Sequence, residues 1–160
     1  MIRQATAEDG AQIAAIYNYY VDNTFVTFET EPVSDSEMQS RITDGLSSYP
    51  WLVAKENGTV LGYAFATEWK SRSAYRLTAE TTIYLDQDHL GQGVGLALYR
   101  QLIDTLRDRG LHCALGGIAL PNPASVALHE KLGFRKVGEL EQVGWKLEQW
   151  VNVGYWELML

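Results

Sequence analysis

Cysteine is almost absent from this chain: Cys113 stands alone among 160 residues and can form no internal disulfide. Long runs of one kind are missing too. No stretch of Lys and Arg makes a basic stripe, and 13 basic against 20 acidic residues leave a net charge of -7, which argues against a nucleic-acid partner. No apolar segment approaches the roughly 20 residues that a membrane-spanning helix needs, and the opening "MIRQATAEDG" has no signal-peptide core. The three histidines share no metal-ligand spacing with Cys113, so no metal is expected. Repeats, linkers and low-complexity tracts are also lacking. These absences predict a soluble cytoplasmic protein with no membrane or nucleic-acid partner, and 46% apolar residues are enough to fill the core of one domain over residues 1–160.

What is present alternates between two periods. "IRQAT" reads as a short strand, and "AEDGAQIAAIYNYYV" carries Ile13, Ile16, Tyr17 and Tyr20 at helical spacing. A polar helix, "SDSEMQSRI", follows. Two apolar runs flank Asn57-Gly58, a pair suited to a tight type I′ turn, so "WLVAKENGTVLGYAFATEW" predicts a hairpin. "RLTAETTIYL" is alternating and β-branched, as a strand should be. Beyond it, Leu96, Tyr99, Leu102, Ile103 and Leu106 form the stripe of a helix that stops at Gly110. "LHCALGGIAL" is another strand. In "NPASVALHEKLGF", Asn122 is a natural N-cap, Pro123 a first helical residue and Gly133 a terminator. "RKVGELE" and "GYWELML" close the chain as strands. The order predicts an α/β protein with helices packed on one mixed sheet.

The glycines Gly91, Gly93 and Gly95 occupy every second position between a strand and a helix. Glycine spaced this way suits a backbone that approaches something closely, and free amides at a helix N-terminus attract anionic oxygen. Phosphate is the expected occupant, with a purely structural turn as the alternative. A P-loop would end in Gly-Lys-Ser/Thr, and a dinucleotide fingerprint would need glycine where Leu96 stands.

"LGQGVG" with the amphipathic helix after it, then a strand, then "NPASVALHEKLGF", resembles the GNAT superfamily of N-acetyltransferases, in which Gln or Arg is preferred where Leu90 stands here. "IYNYYVDNTFVTFETEP", "GYAFATEWKSRSAYRLTAETTIYL" and "VGWKLEQWVNVGYWELML" extend the resemblance nearly end to end, to the phosphinothricin and methionine sulfoximine N-acetyltransferases. The resemblance implies a twisted, mostly antiparallel mixed sheet flanked by helices, usually in a homodimer. It also implies acetyl-CoA as cosubstrate and a small amino-acid-like acceptor whose α-amine takes the acetyl group.

That chemistry needs a neutral amine, a stabilised oxyanion and a proton for the departing thiolate. A free α-amine is mostly protonated at neutral pH, so a base is required. Glu80 is the candidate: it shares a strand face with Thr78, Thr82 and Tyr84 just before the glycine loop, whereas an isolated Glu would be a solvated carboxylate. His129 stands where the superfamily's helix has a Tyr near the CoA sulfur, so the resemblance makes it a proton donor; a packing or capping His is the alternative. For CoA, the family pattern falls on the backbone of Ile83, Tyr84 and Leu85, on the amides of Gly91, Gln92, Gly93, Val94, Gly95 and Leu96, and on Asn122. For the acceptor it falls on Lys70, Ser71, Arg72, Glu80, Thr81 and Thr82, with Phe28 and Glu29 approaching; Tyr75 lies in the same cationic segment, which suits a carboxylate. Two other functions fit less well: acetylation of a polyamine, aminoglycoside or protein N-terminus, which those cations disfavour, and CoA binding without catalysis, which Glu80 disfavours.

Overall fold

In the computed structural model, which describes residues 1–160, seven strands form one sheet in the order β1-β2-β3-β4-β5-β7-β6. The strands are β1 (Ile2–Gln4), β2 (Trp51–Glu56), β3 (Thr59–Glu68), β4 (Thr78–Leu85), β5 (Cys113–Leu120), β6 (Arg135–Lys146) and β7 (Gln149–Met159). The helices are α1 (Gly10–Asn23), α2 (Asp35–Leu46), α3 (Val94–Asp108) and α4 (Pro123–Lys131). Every strand pair is antiparallel except β4 with β5.

Helices cover both faces of the sheet, which is why "WLVA" in β2 reads as a continuous apolar run. Trp51 and Val53 turn to one side and join Ile13, Ile16, Tyr17, Met38 and Ile42 of α1 and α2 in one core. Leu52 and Ala54 turn to the other and meet Leu98, Tyr99, Leu102, Ile103 and Leu106 of α3. Each fully buried large side chain of this kind stabilises the fold by about 1.5–3 kcal/mol. The Asn57-Gly58 turn has the positive φ values, 49° and 87°, of the expected hairpin.

Two expectations need correction. Leu96 is only half-buried, and Leu98 takes its place in the stripe, because the helix starts at Val94 and its buried positions run 95, 98, 99, 102, 103, 106. The last two strands are also longer than their apolar pattern indicated. Nearly all of β6 faces solvent, and register shifts at 136/138 and 140/144 break its alternation, so its sequence carries no clean period of two.

Candidate active site

The site begins where β4 and β5 part. They pair at Thr78 with Cys113, Ala79 with Ala114 and Glu80 with Leu115, and not beyond. β4 keeps β3 on its other edge as far as Leu85, while β5 keeps β7 as far as Leu120, so the sheet forks with one unpaired edge on each arm. Backbone N–H and C=O groups on such edges can receive an extended chain.

A cavity of about 300 Å³ fills the fork, with Thr81, Thr82, Ile83, Tyr84 and Leu85 on one wall and Gly117, Ile118 and Ala119 on the other. Asn122, Ser125, Leu128 and His129 form its floor, and Leu90 stands at its rim. The glycine loop enters α3 beside it: Gly91 and Gly93 have φ of 73° and 81°, and Gly93 is the N-cap. The first amides of α3 have no intrahelical acceptor and are free for an anion. Gly95 serves packing instead, since a Cβ there would lie 2.9 Å from Leu85 Cδ1. Of the expected pantetheine contacts, the Leu85 carbonyl already accepts a hydrogen bond from Tyr20 Oη at 2.7 Å. Asn122 Oδ1 accepts from the Ser125 amide at 3.2 Å, which makes it a helix cap on the cavity floor.

A second cavity of about 330 Å³ adjoins the first, sharing Val26, Gly117 and Ala119 with it. Glu80 stands in its wall. A Cβ at Gly117 would come within 3.3 Å of Glu80 Oε1, so the absence of a side chain there keeps the carboxylate open to the junction. Glu80 is half-buried and its carboxylate accepts no hydrogen bond from the chain; burial raises its pKa and the Lys70 charge partly offsets that.

On the opposite face of β4, Thr81, 3% exposed, places Oγ1 2.6 Å from Tyr99 Oη, and Tyr99 Oη lies 2.9 Å from His129 Nε2. His129, 4% exposed, places Nδ1 2.8 Å from the Ser125 carbonyl oxygen. A carbonyl can only accept, so Nδ1 carries the proton; burial lowers the imidazole pKa and keeps the ring neutral, leaving Nε2 to accept from Tyr99. Both nitrogens are therefore engaged, and neither is free to protonate a thiolate directly. Room for this ring comes from Gly116, where a Cβ would stand 2.5 Å from Nε2.

The acceptor residues expected from sequence divide. Phe28 lines the second cavity with Glu80. Glu29 does not: Arg41 of α2 clasps both its oxygens at 2.7 and 2.9 Å and Tyr17 Oη donates to it, which lowers its pKa. Thr81 faces away from Glu80 because successive strand residues alternate faces, and Thr82 lines the first cavity. Lys70, Ser71 and Arg72 lie on an exposed loop and line neither cavity; Tyr75 packs edge-on against Trp69 at 5.2 Å. Sequence reasoning missed Tyr99, Gly116 and Gly117, and also Val26, Leu140, Val143, Val153 and Tyr155 of the second cavity. One signal was available. Two adjacent glycines inside a strand mark a close approach on each face.

A forked sheet with an amide-rich helix start at its mouth and a carboxylate at its apex defines a class. The chain belongs to the acetyltransferase (GNAT) family, whose profile matches residues 13–134. It is 40% identical over 156 residues to the phosphinothricin N-acetyltransferase of Streptomyces viridochromogenes, covering 98% of this chain and 85% of that one. It is 37% identical over 160 residues to the L-methionine sulfoximine/L-methionine sulfone acetyltransferase of Salmonella typhimurium, covering 99% and 94%. A phosphinothricin acetyltransferase from Sinorhizobium meliloti, solved in complex with acetyl-CoA, superposes with a TM-score of 0.96 at 34% identity, covering 100% and 88%.

Proposed function

We propose that this chain is an acetyl-CoA-dependent N-acetyltransferase that acetylates the α-amine of small amino-acid-like acceptors by direct transfer, with Glu80 as general base. One observation carries the residue assignment: an unpaired carboxylate at the junction of two cavities, one open along a bare strand edge and the other walled mainly by apolar side chains. The names of the relatives, and acetyl-CoA in the similar solved structure, support the reaction.

In this reading the β4 edge at Ile83 and Tyr84 holds the pantetheine arm and the amides from Gly91 to Leu96 hold the pyrophosphate. Acetyl-CoA supplies the acetyl group as an activated thioester. Glu80 takes a proton from the acceptor ammonium, directly or through water; the neutral amine attacks the thioester carbonyl while a main-chain amide near Ile83 faces the developing oxyanion, and the C–S bond then breaks, CoA leaving as a thiolate that takes its proton from water. Lys70 and Arg72 attract the acceptor carboxylate from the loop above. Losing the ammonium charge would detoxify amino-acid analogues, and acetyl-CoA use fits the cytoplasm. We further propose one domain over residues 1–160, acting as a homodimer.

The test is thiol release from acetyl-CoA across amino acids, their sulfoximine, sulfone and phosphinate analogues, and polyamines. Glu80→Gln should bind acetyl-CoA normally yet turn over roughly 10²-fold more slowly or worse. The base must be ionised, so activity should rise with pH through a pKa above the usual carboxylate range, as burial dictates, and this limb should vanish in the variant. A variant that matches wild type across the pH range would show Glu80 to be positional.

A further inference from the structure

β6 is the outermost strand of the sheet, and two of its residues are buried, Gly144 and Lys146. One residue apart, they share a strand face. Both meet the loop between α1 and α2, residues 24–34. The Phe28 ring packs where Gly144 has no side chain, and Lys146 Nζ donates to the Thr27 carbonyl oxygen at 2.8 Å.

Burying that ammonium is unfavourable. Lys146 is 5% exposed, no other Lys or Arg of the chain is buried, and its partners are main-chain carbonyls instead of a carboxylate. The second of these, Tyr20 at 3.5 Å, lies in the last turn of α1, where the negative end of the helix dipole favours a cation. Burial still lowers the Lys146 pKa, with the Asp22 and Glu29 charges acting the other way. An apolar side chain of the same length would escape that desolvation, so fold stability alone does not account for an ammonium here.

The loop supplies a reason. Residues 25–33 make no hydrogen bond from main chain to main chain. Side chains hold them instead: from the helices, Tyr17 bonds Thr27 Oγ1, Arg41 clasps Glu29, and Asn18 bonds the Val33 main chain. From the hairpin, the only polar contact is Lys146. Phe28, between Thr27 and Glu29, turns into the second cavity and faces Leu140, Val143 and Val153 of the hairpin. Loop and hairpin are thus two walls of one cavity, and Lys146, which lines neither cavity, ties them together.

We propose that Lys146 is a positioning residue for the acceptor: its ammonium anchors the main chain of the α1–α2 loop to the β6–β7 hairpin and so sets where Phe28 stands. This rests on the reading of the second cavity as the acceptor site. Lys146 touches no reacting atom and acts through Phe28.

The experiment is Lys146→Met in the full chain, which keeps the length of the side chain and removes its charge and its donors. The acceptor KM, measured with the amino acid or analogue that wild type acetylates fastest, should rise by about tenfold or more, the scale on which small pocket changes act. Both kcat and the KM for acetyl-CoA should stay within about threefold, as a loss of acceptor binding alone requires. Urea unfolding should find the variant as stable as wild type or more so, since a desolvated charge is gone. In a Phe28→Ala background, Lys146→Met should change the acceptor KM by less than about twofold, because the side chain it positions is absent. An unchanged acceptor KM, equal rises in both KM values, or an undiminished effect in the Phe28→Ala background overturns the proposal. So does a variant that fails to fold, which would assign Lys146 to the fold. Wild type that binds acetyl-CoA by calorimetry yet releases thiol with no amino acid or analogue overturns the acceptor reading, and this proposal with it.

Discussion

Gly116 and Gly117 show how much one strand position can decide. Their missing side chains face opposite ways, one making room for the His129 ring and the other for the Glu80 carboxylate. Behind Gly116, Thr81, Tyr99 and His129 form a buried polar chain in which each member positions the next. Tyr99→Phe removes the donor to Nε2 and should destabilise the protein by about 1–3 kcal/mol, measured by urea unfolding, because buried acceptors lose their partner. The pH dependence has a definite sign. Burial lowers the His129 pKa in the folded state, so the unfolded chain takes up this proton more readily; the group's contribution is complete above the ordinary histidine pKa of 6.5 and is lost as pH falls below it. Unfolding curves between about pH 7 and 5 should show that slope, and His129→Gln should flatten it.

At the scale of elements, the glycine loop and the C-terminal hairpin each hold part of a cavity in place. Gly93 ends the loop in a left-handed conformation with φ 81°, and open space surrounds the place its Cβ would take. Backbone strain, not collision, should therefore make Gly93→Val harmful, at a cost of about 1–3 kcal/mol in the loop conformation. Calorimetry should find acetyl-CoA binding markedly weaker in a variant that remains folded. Gly144 of β6 works by contact: a Cβ there would lie 2.3 Å from the Phe28 ring, which packs against the bare backbone. Gly144→Ala should displace Phe28 and raise the acceptor KM by about tenfold or more, the scale on which a one-methylene change in a pocket acts. The KM for acetyl-CoA should not move; equal change in both would mean that the hairpin has lost its fold. The element pattern was largely legible in sequence, because α1, α3 and β2–β4 are covered by partners and their apolar periods are strong. The extent of β6 was not, since past "RKVGELE" a solvent-facing strand with two register shifts leaves no alternation to read.

The whole molecule exposes an uneven surface. Leu140, Val143, Trp145, Leu147 and Trp150 all lie exposed on the β6–β7 hairpin, with Trp145 and Trp150 56% and 59% accessible, and the two indoles pack together at 4.9 Å. An apolar surface on that scale favours burial against a second copy. Light scattering should report twice the 18.0 kDa chain mass, and Trp145→Arg with Trp150→Arg should return it to one chain. A wild type that runs as a monomer at micromolar concentration would rule the homodimer out.

The sequence by itself determined the family, the order of the elements, the glycine turn into α3 and the presence of a carboxylate one strand away from it. Each is a local matter, written in the spacing of neighbouring residues, and local spacing survives without knowledge of the partner element. Only the tertiary structure decided what faces what. It turned Thr81 away from Glu80, tied Glu29 to Arg41 across 12 residues, and brought Tyr99 to His129 across 30. It also built the second cavity from a loop, two central strands and a C-terminal hairpin that are distant in the chain. Those pairings arise from packing between elements, where a side chain's partner is set by the sheet's fork and the alternation of its strands and not by its neighbours in sequence.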